Sequence, residues 1–501
     1  MKVSLLNDSF PPVIDGVVNV VMNYAKIMTQ ELGAQVQVGT PRYPDADYSG
    51  YPYPVIPYQS FDTTGIVSGY RAGNPFEAKA IREMADFAPD IIHTHCPVSS
   101  TIMARILRNE TDAPVVFTYH TKFDVDIARA VKAKFLQKES IKTLVDNISS
   151  CDEIWVVSRG AGENLRSLGY EGNFKVMPNG VDFAKGCVDS ETVRKVTAGY
   201  DLPEHIPVFL FVGRMMKYKG LPMILDAMKI LKERKMDYRM VFVGDGADLE
   251  EMREKAEKDG ISDRTIFAGA ERDRDRLRAW NTRADLFLFP STYDTNGIVV
   301  REAAACGLAS VLIRDSCASE GITDGRNGYL IEETPEAMAS LLFEICRDME
   351  HVHQVGQKAM DEIYISWESA VRLAYNRYEE ILELKREGYL RGRKYQTSDY
   401  FLSTGAGLVG RTRQIFSSPK RIYGGMLENV TEFWGDLQDA ADYVTTGIRK
   451  TRDGISEILR DTKEDFLGMV RDSRAELSES VGESIREEGT DTSGNDENKE
   501  E

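Results

Sequence analysis

The sequence contains no run of about 18 apolar residues, the length a helix needs to cross a bilayer, so no transmembrane helix is expected. It has only six cysteines in 501 residues. Cys96, Cys151, Cys187, Cys306, Cys317 and Cys346 show no paired spacing. That disfavours a disulfide framework or a cysteine zinc site and suits free thiols in a reducing cytoplasm. Positive charge is also scarce: 62 Lys+Arg stand against 80 Asp+Glu, a net charge of −18. A general nucleic-acid binder needs a basic surface that displaces counterions, so nucleic acid is not an expected partner. The first six residues run into Asn7, Asp8 and Pro11, too short an apolar stretch to read as a signal segment.

What is present is ordinary globular composition, 42% hydrophobic and 28% charged. At about 150 residues per domain, two or three domains are expected. Strand, loop and helix alternate along the chain. Residues 3–6 read as a strand and 17–31 as a helix, with further strands at 35–38, 91–93, 115–119, 154–157 and 175–177. Short apolar runs without alternation suit strands buried on both faces of a parallel sheet. Residues 1–185 therefore read as one Rossmann-like α/β domain. A polar stretch at 189–205 reads as a linker. The alternation then restarts at 208–212, 240–243, 265–267, 286–289 and 310–313, giving a second Rossmann-like domain over 206–365. Two such domains in series leave a cleft where ligands of open sheets bind. Residues 365–390 carry a helical stripe of Trp367, Val371, Ala374, Tyr375, Tyr378 and Leu382. Residues 395–482 read as an irregular helical extension. Residues 483–501, with eight acids and two bases, read as a disordered acidic tail.

The chemistry-bearing residues follow predicted strands. Arg214 and Lys219 place two cations near a helix start, a natural cradle for a diphosphate. Asp294 and Glu302 lie eight residues apart, on a loop and the helix it opens. Either carboxylate can accept hydrogen bonds from ligand hydroxyls. Gly297 lets backbone N–H groups approach an anion. His120 ends a strand at the mouth of the cleft. Gly16 closes the loop after the first strand, Pro11-Pro12-Val13-Ile14-Asp15-Gly16, and could bring backbone near a phosphate.

Together these segments resemble glycosyltransferase family 4, retaining enzymes of the GT-B fold. The resemblance runs from Val3 to about Leu390. It rests on the 11–16 loop, His93-Thr94-His95, Tyr119-His120-Thr121, Pro178-Asn179-Gly180-Val181-Asp182, Gly213-Arg214…Lys219-Gly220, Val243-Gly244-Asp245-Gly246, and Pro290-Ser291…Glu302-Ala303. The last looks like the family's pair of acids eight apart. Three positions depart from the pattern. Asp294 stands where Glu is usual, Asn296 where Phe is usual, and Asp15 where many members have a second Gly.

The resemblance implies transfer of a hexose from a nucleotide-sugar, UDP-glucose favoured, with retention, no cofactor and no metal. It implies that residues 1–185 take the acceptor and 206–365 the donor, and that 366–394 cross back onto the first domain. Arg214 and Lys219 would hold the diphosphate, Glu302 the ribose hydroxyls and Asp294 the donor sugar. His120 would contact the sugar near the reacting carbon. The backbone at Gly16, Asn296, Gly297, Ile298 and Val299 would assist. The opening Asn7-Asp8-Ser9-Phe10-Pro11-Pro12 is most similar to bacterial members that glycosylate lipids such as diacylglycerol.

Two basic stretches fit an anionic membrane surface, and so peripheral attachment to the inner face of the cell membrane. Residues 122–142 hold six bases and three acids, and 411–423 hold four bases and no acids. Other readings stay open from sequence: a transferase for a soluble or cell-surface glycan, a metal-dependent enzyme using 45–47, 124–126 or 273–275, a nucleotide-sugar epimerase, and a non-catalytic nucleotide-sugar scaffold. Oligomeric state is not encoded in any motif.

Overall fold

The structure is a computed structural model that describes residues 1–62, 70–124, 127 and 134–390. The expected helical extension, acidic tail and 411–423 basic stretch lie outside the described residues.

The first sheet draws on β1 (Lys2–Leu6), β2 (Gln35–Pro41) and β3 (Val55–Tyr58). A short antiparallel pair, β4 (Ser60–Asp62) and β5 (Arg71–Gly73), stands apart from it. The sheet continues with β6 (Ile91–Thr94), β7 (Val115–Tyr119), β8 (Glu153–Val156) and β9 (Phe174–Val176). Its order is β3-β2-β1-β6-β7-β8-β9, and every pairing is parallel. The second sheet comprises β10 (Val208–Val212), β11 (Arg239–Val243), β12 (Thr265–Gly269), β13 (Leu286–Phe289), β14 (Ala309–Ile313) and β15 (Tyr329–Ile331). Its order is β12-β11-β10-β13-β14-β15, again all parallel. These are the two expected Rossmann-like halves of a GT-B fold. Strands β7, β10, β13 and β14 are buried at every residue, which is why they read as unbroken apolar runs.

Several elements differ from the sequence reading. Strand β3 carries Pro57, which lacks an N–H for a ladder; it sits at the sheet edge, where proline is tolerated. The β4–β5 pair and β15 span only three residues each, too few to show a period. The expected linker contains the helix Ser190–Val196, capped by the Asp189 carboxylate accepting from Thr192 N at 2.9 Å. That helix buries only Val196, so it leaves no apolar stripe.

The helix Trp367–Arg386 returns to the first sheet. Trp367, Ala370, Val371, Ala374, Tyr378 and Ile381 pack against Val3, Leu5 and Tyr24. The buried stripe thus runs through Ala370 and Ile381, while Tyr375 and Leu382 lie at its half-buried margin. The chain passes between the two halves side by side at two places. Val181 N donates to Ile365 O at 3.0 Å, and Trp367 N donates to Val181 O at 3.2 Å. Glycine is required beside this contact. A Cβ on Gly180 would lie 2.4 Å from Trp367 Cα and 2.5 Å from its N. Both are backbone atoms that cannot swing aside.

Gly180→Ala should therefore destabilise the fold by about 1–3 kcal/mol, the usual cost of overpacking. An added Cβ at Gly16 meets nothing within 4 Å, so Gly16→Ala should leave the urea midpoint nearly unchanged. Equal midpoints for both variants would refute this account of the crossing.

Candidate functional site

The second sheet builds one wall of the site from the loops after its strands. Past β10, Gly213 adopts φ +155°, and past β11, Gly244 adopts φ +148°. A Cβ on Gly244 would fall 1.9 Å from Gly213 O, so these two loops touch backbone to backbone. Side chains are excluded there, and a pocket of about 280 Å³ opens between the loops. It is lined by Gly213, Arg214, Gly244, Asp245, Ala270 and Glu271, among others. Arg214 is exposed at its edge.

Lys219 closes a single 3₁₀ turn, and Gly220 follows at φ +82°. A Cβ on Gly220 would lie 2.6 Å from both Cγ and O of Pro290. This close approach brings the buried Lys219 onto the 290–297 loop, where its ammonium pairs with the Asp294 carboxylate. The other Asp294 oxygen accepts from Ser291 Oγ at 2.5 Å. The loop ends at Gly297, φ +57°, which opens the helix Ile298–Ala305 with no side-chain cap. Its first-turn N–H groups, including those of Ile298 and Val299, therefore have no side-chain acceptor of their own.

Glu302 lies on that helix and is buried. It pairs with Arg274, which also pairs with Asp182 and lies 4.4 Å over the Phe183 ring. Burial works against the Arg274 charge, but Glu302 and Asp182 outweigh it and raise the guanidinium's pKa. Sequence reasoning missed Arg274 as a site residue. It appeared only as the middle of the 273–275 triplet. The flanking Asp273 accepts from Asp275 N at 2.9 Å and Arg276 N at 3.1 Å, capping the helix Arg274–Arg283. Asp47 accepts from Ser49 N at 2.9 Å. Residues 125 and 126 of the third triplet lie outside the described residues.

The first sheet builds the facing wall. His120 follows β7, and its Nε2 lies 3.0 Å from His95 Nδ1. The His95 ring packs against His93, with centroids 4.0 Å apart. His93 Nδ1 meets Tyr378 Oη at 2.5 Å, and its Nε2 meets Thr118 Oγ1 at 2.6 Å. Gly16 opens the helix Gly16–Gln30. The Asp15 carboxylate already accepts from Val17 N and Val18 N, each at 2.8 Å, and from Tyr70 Oη at 2.9 Å. The Val17 and Val18 amides beside Gly16 thus hold a carboxylate of the chain itself.

The two walls meet at the 290–297 loop. Thr295 Oγ1 donates to His120 O, Ser158 Oγ donates to Thr295 O, and the Asn296 side-chain amide donates to Val157 O. Lys122 Nζ donates to Thr292 O at 3.0 Å. Lys219, Asp294, Asn296, Gly297 and His120 are thereby gathered on one connected set of loops, with Glu302 one helix turn beyond Gly297. Among the described residues no hydrogen bond joins Gly16 or Arg214 to that set.

The three buried histidines set an acid limit. Burial holds His120 at about 3 and pushes His93 and His95 well below the ordinary histidine value. Between that range and about 6.5 the unfolded chain binds more protons than the folded one. Stability therefore rises with pH across this window and is lost on acidification. Asp8 opposes this: burial raises its carboxyl to about 6, so it favours the fold as pH falls through that value. Glu302, whose carboxyl burial also raises, opposes it as well, and three groups outweigh two. Tm should fall between pH 7 and 5, and less steeply in His120→Asn; an equal or steeper fall in the variant would refute the assignment.

A family model described as Glycosyltransferase Family 4 matches residues 14–185, and one described as Glycosyl transferases group 1 matches 194–362. The alpha-monoglucosyldiacylglycerol synthase of Acholeplasma laidlawii is 23% identical over 359 residues, covering 68% of this chain and 87% of its own. The phosphatidyl-myo-inositol mannosyltransferase of Mycobacterium tuberculosis H37Rv is 29% identical over 335 residues, covering 65% and 82%. The Anabaena protein Alr3699/HepE, solved with UDP, superposes with a TM-score of 0.60 at 17% identity, over 76% of this chain and 100% of its own. Matched by these two models over 14–185 and 194–362, and carrying both Rossmann-like halves, the chain belongs to glycosyltransferase family 4, with the GT-B fold.

Proposed function

We propose that this glycosyltransferase moves a hexosyl group, glucose from UDP-glucose by preference, onto a membrane lipid such as diacylglycerol, with retention and without a metal. The observation that carries the reading is the Lys219–Asp294 pair, tied through Thr295 to His120 on the facing wall. It supports the reading by holding a cation and a carboxylate on the same loop that bonds the His120 backbone.

In this reading the sugar's C1–O bond to the diphosphate breaks, and negative charge grows on the leaving oxygen. Arg214 and Lys219 stabilise that charge more than the ground state, which is what accelerates the step. Lys219 has three N–H donors, so its pairing with Asp294 leaves others for phosphate. The departing phosphate oxygen takes the proton of the acceptor hydroxyl while the new C1–O bond forms on the same face. No carboxylate nucleophile is needed. Asp294, fixed by Ser291 and Lys219, accepts from a sugar hydroxyl. Glu302 accepts from the ribose and shares its charge with Arg274. The backbone at Asn296, Gly297, Ile298 and Val299 faces the phosphates, with Gly16 opposite. The Asn296 side chain joins the two walls.

The lipid acceptor is supported by the relatives' names and by the rim of the first domain. Ile14, Phe61 and Val98 are 71%, 56% and 50% exposed. The segments near them are linked: β4, which carries Phe61, pairs with β5, Ser99 Oγ donates to Gly73 O of β5 at 2.9 Å, and Ser100 N donates to Asp8 Oδ1 at 2.7 Å. Lys134, Lys138 and Lys142 are exposed four residues apart on the helix Lys134–Ser149. Exposed apolar side chains and a row of spaced lysines each suit an anionic bilayer surface. Among the described residues no helix is long and apolar enough to cross a membrane.

UDP-, GDP- and ADP-sugars incubated with the purified chain, with and without diacylglycerol in anionic vesicles, test this directly. Nucleotide release with one sugar, dependent on lipid and undiminished by EDTA, is expected. Release only with soluble glycans would reject the lipid acceptor, and binding without release would favour a scaffold.

In the same assay Arg214→Ala and Lys219→Ala should lower kcat by about a hundredfold or more. Glu302→Ala should act mainly on donor KM. Near-normal kinetics in all three would overturn the site assignment.

A further inference from the structure

We propose that His95 is a positioning residue that fixes the proton of His120 on Nδ1, so that His120 presents an N–H donor, not a base, to an oxygen of the donor substrate. The proposal rests on the reading of His120 as a sugar contact given above, but the tautomer itself is readable without turnover.

The two rings share one short contact, His95 Nδ1 to His120 Nε2 at 3.0 Å. Both are buried, at 1% and 6% exposure. Burial keeps both neutral, with His120 at about 3 and His95 well below its ordinary value. Each neutral imidazole carries one proton, so exactly one proton must lie between the two facing nitrogens for the bond to exist. The remaining His95 nitrogen, Nε2, is buried and has no hydrogen-bond partner among the described residues. That atom decides between the two arrangements.

If His120 were the donor, its proton would sit on Nε2, and His95 would carry its own on the partnerless Nε2. A buried N–H would then go unsatisfied. If His95 is the donor, its proton sits on Nδ1 and the partnerless atom is only a lone pair. An orphaned buried N–H is the rarer fault in folded proteins, and a lost donor costs about 1–3 kcal/mol. The adjacent ring offers no relief. The His93 ring packs tilted against His95, centroids 4.0 Å apart, and both of its nitrogens are already engaged, by Tyr378 and by Thr118. The second arrangement is therefore favoured, and it leaves His120 with its proton on Nδ1.

The consequence is chemical. With Nε2 committed as acceptor to His95 and Nδ1 protonated, His120 has no free lone pair. It cannot take the acceptor hydroxyl's proton. It can donate to a hydroxyl oxygen of the sugar or to a leaving phosphate oxygen. His95, in turn, touches no substrate and acts only through His120.

The full chain, labelled with ¹⁵N-histidine, gives a direct readout. Two-bond ¹H–¹⁵N correlations distinguish the two neutral tautomers, and His120→Asn identifies the His120 signals by their loss. The Nδ1–H pattern, unchanged from pH 6 to pH 8, is expected at His120; an Nε2–H pattern overturns the proposal. Kinetics supply the second arm. The amide of His95→Asn can stand in for the Nδ1–H donor, whereas His95→Gln extends its amide past that point and His95→Leu has none. His95→Asn should keep kcat within about threefold, while Gln and Leu should lower it by about tenfold or more with donor KM little changed, as expected for a misplaced contact. Equal losses in folded Asn and Gln variants, or none, also overturn it. Normal kinetics in His120→Leu, which has no donor at that point, would instead sink the reading of His120 as a substrate contact and leave the tautomer standing.

Discussion

A lysine ammonium drawn almost wholly out of water needs an anion beside it, because an unpaired buried charge costs several kcal/mol. Lys219 is 9% exposed, and Asp294 is the carboxylate that answers it. Much of the site is arranged so that this pair can form. Gly220 must lack a Cβ so that Lys219 can approach Pro290. Ser291 must hold the second Asp294 oxygen, which fixes the carboxylate's orientation. Once the 290–297 loop is held in that shape, Thr295 and Asn296 stand where they can reach backbone carbonyls of the first domain, at His120 and Val157. One ion pair therefore shapes both the chemical centre and the contact between the two halves.

The same logic explains the three departures from the family pattern. Asp294 is a methylene shorter than Glu, and Lys219 reaches it directly. Asn296 replaces an aromatic ring with an amide that makes a polar bond across the cleft. Asp15 puts a carboxylate on helix amides that a second glycine would leave bare. Each change exchanges one kind of contact for another at the same place, and none removes a charge that the proposed chemistry uses.

Much of the fold was legible because its strands are buried on both faces and so appear as short apolar runs between helical stretches. Strand β3 was not, since Pro57 breaks the pattern a central strand would show. The returning helix was legible with most of its stripe, Trp367, Val371, Ala374 and Tyr378; Ala370 was not, because its small size hid its role. The candidates His120, Lys219 and Asp294 could be picked out because each lies in the segment after a strand, and Glu302 because it lies on the helix that the Asp294 loop opens. Arg274 was not, because its importance depends on Asp182, which lies 92 residues away in sequence. The roles of Asn296's amide and of His95 were equally hidden, since both are set by groups brought in from other strands.

The paired chain crossing at Val181 and Trp367 has a mechanical meaning. Two covalent connections lying side by side, stitched by two backbone hydrogen bonds, define a line, and turning about that line stretches neither connection. What resists such turning is the far lip, where Lys122, Ser158, Arg159, Thr295 and Asn296 make five hydrogen bonds between the halves. At about 1 kcal/mol net apiece, the lip is worth roughly 5 kcal/mol, close to the differential affinity that moves a two-state balance from one side to the other. A molecule that touches Lys219 on one side and His120 on the other makes both contacts only when the lip is shut, so its binding and the shutting of the lip are a single equilibrium.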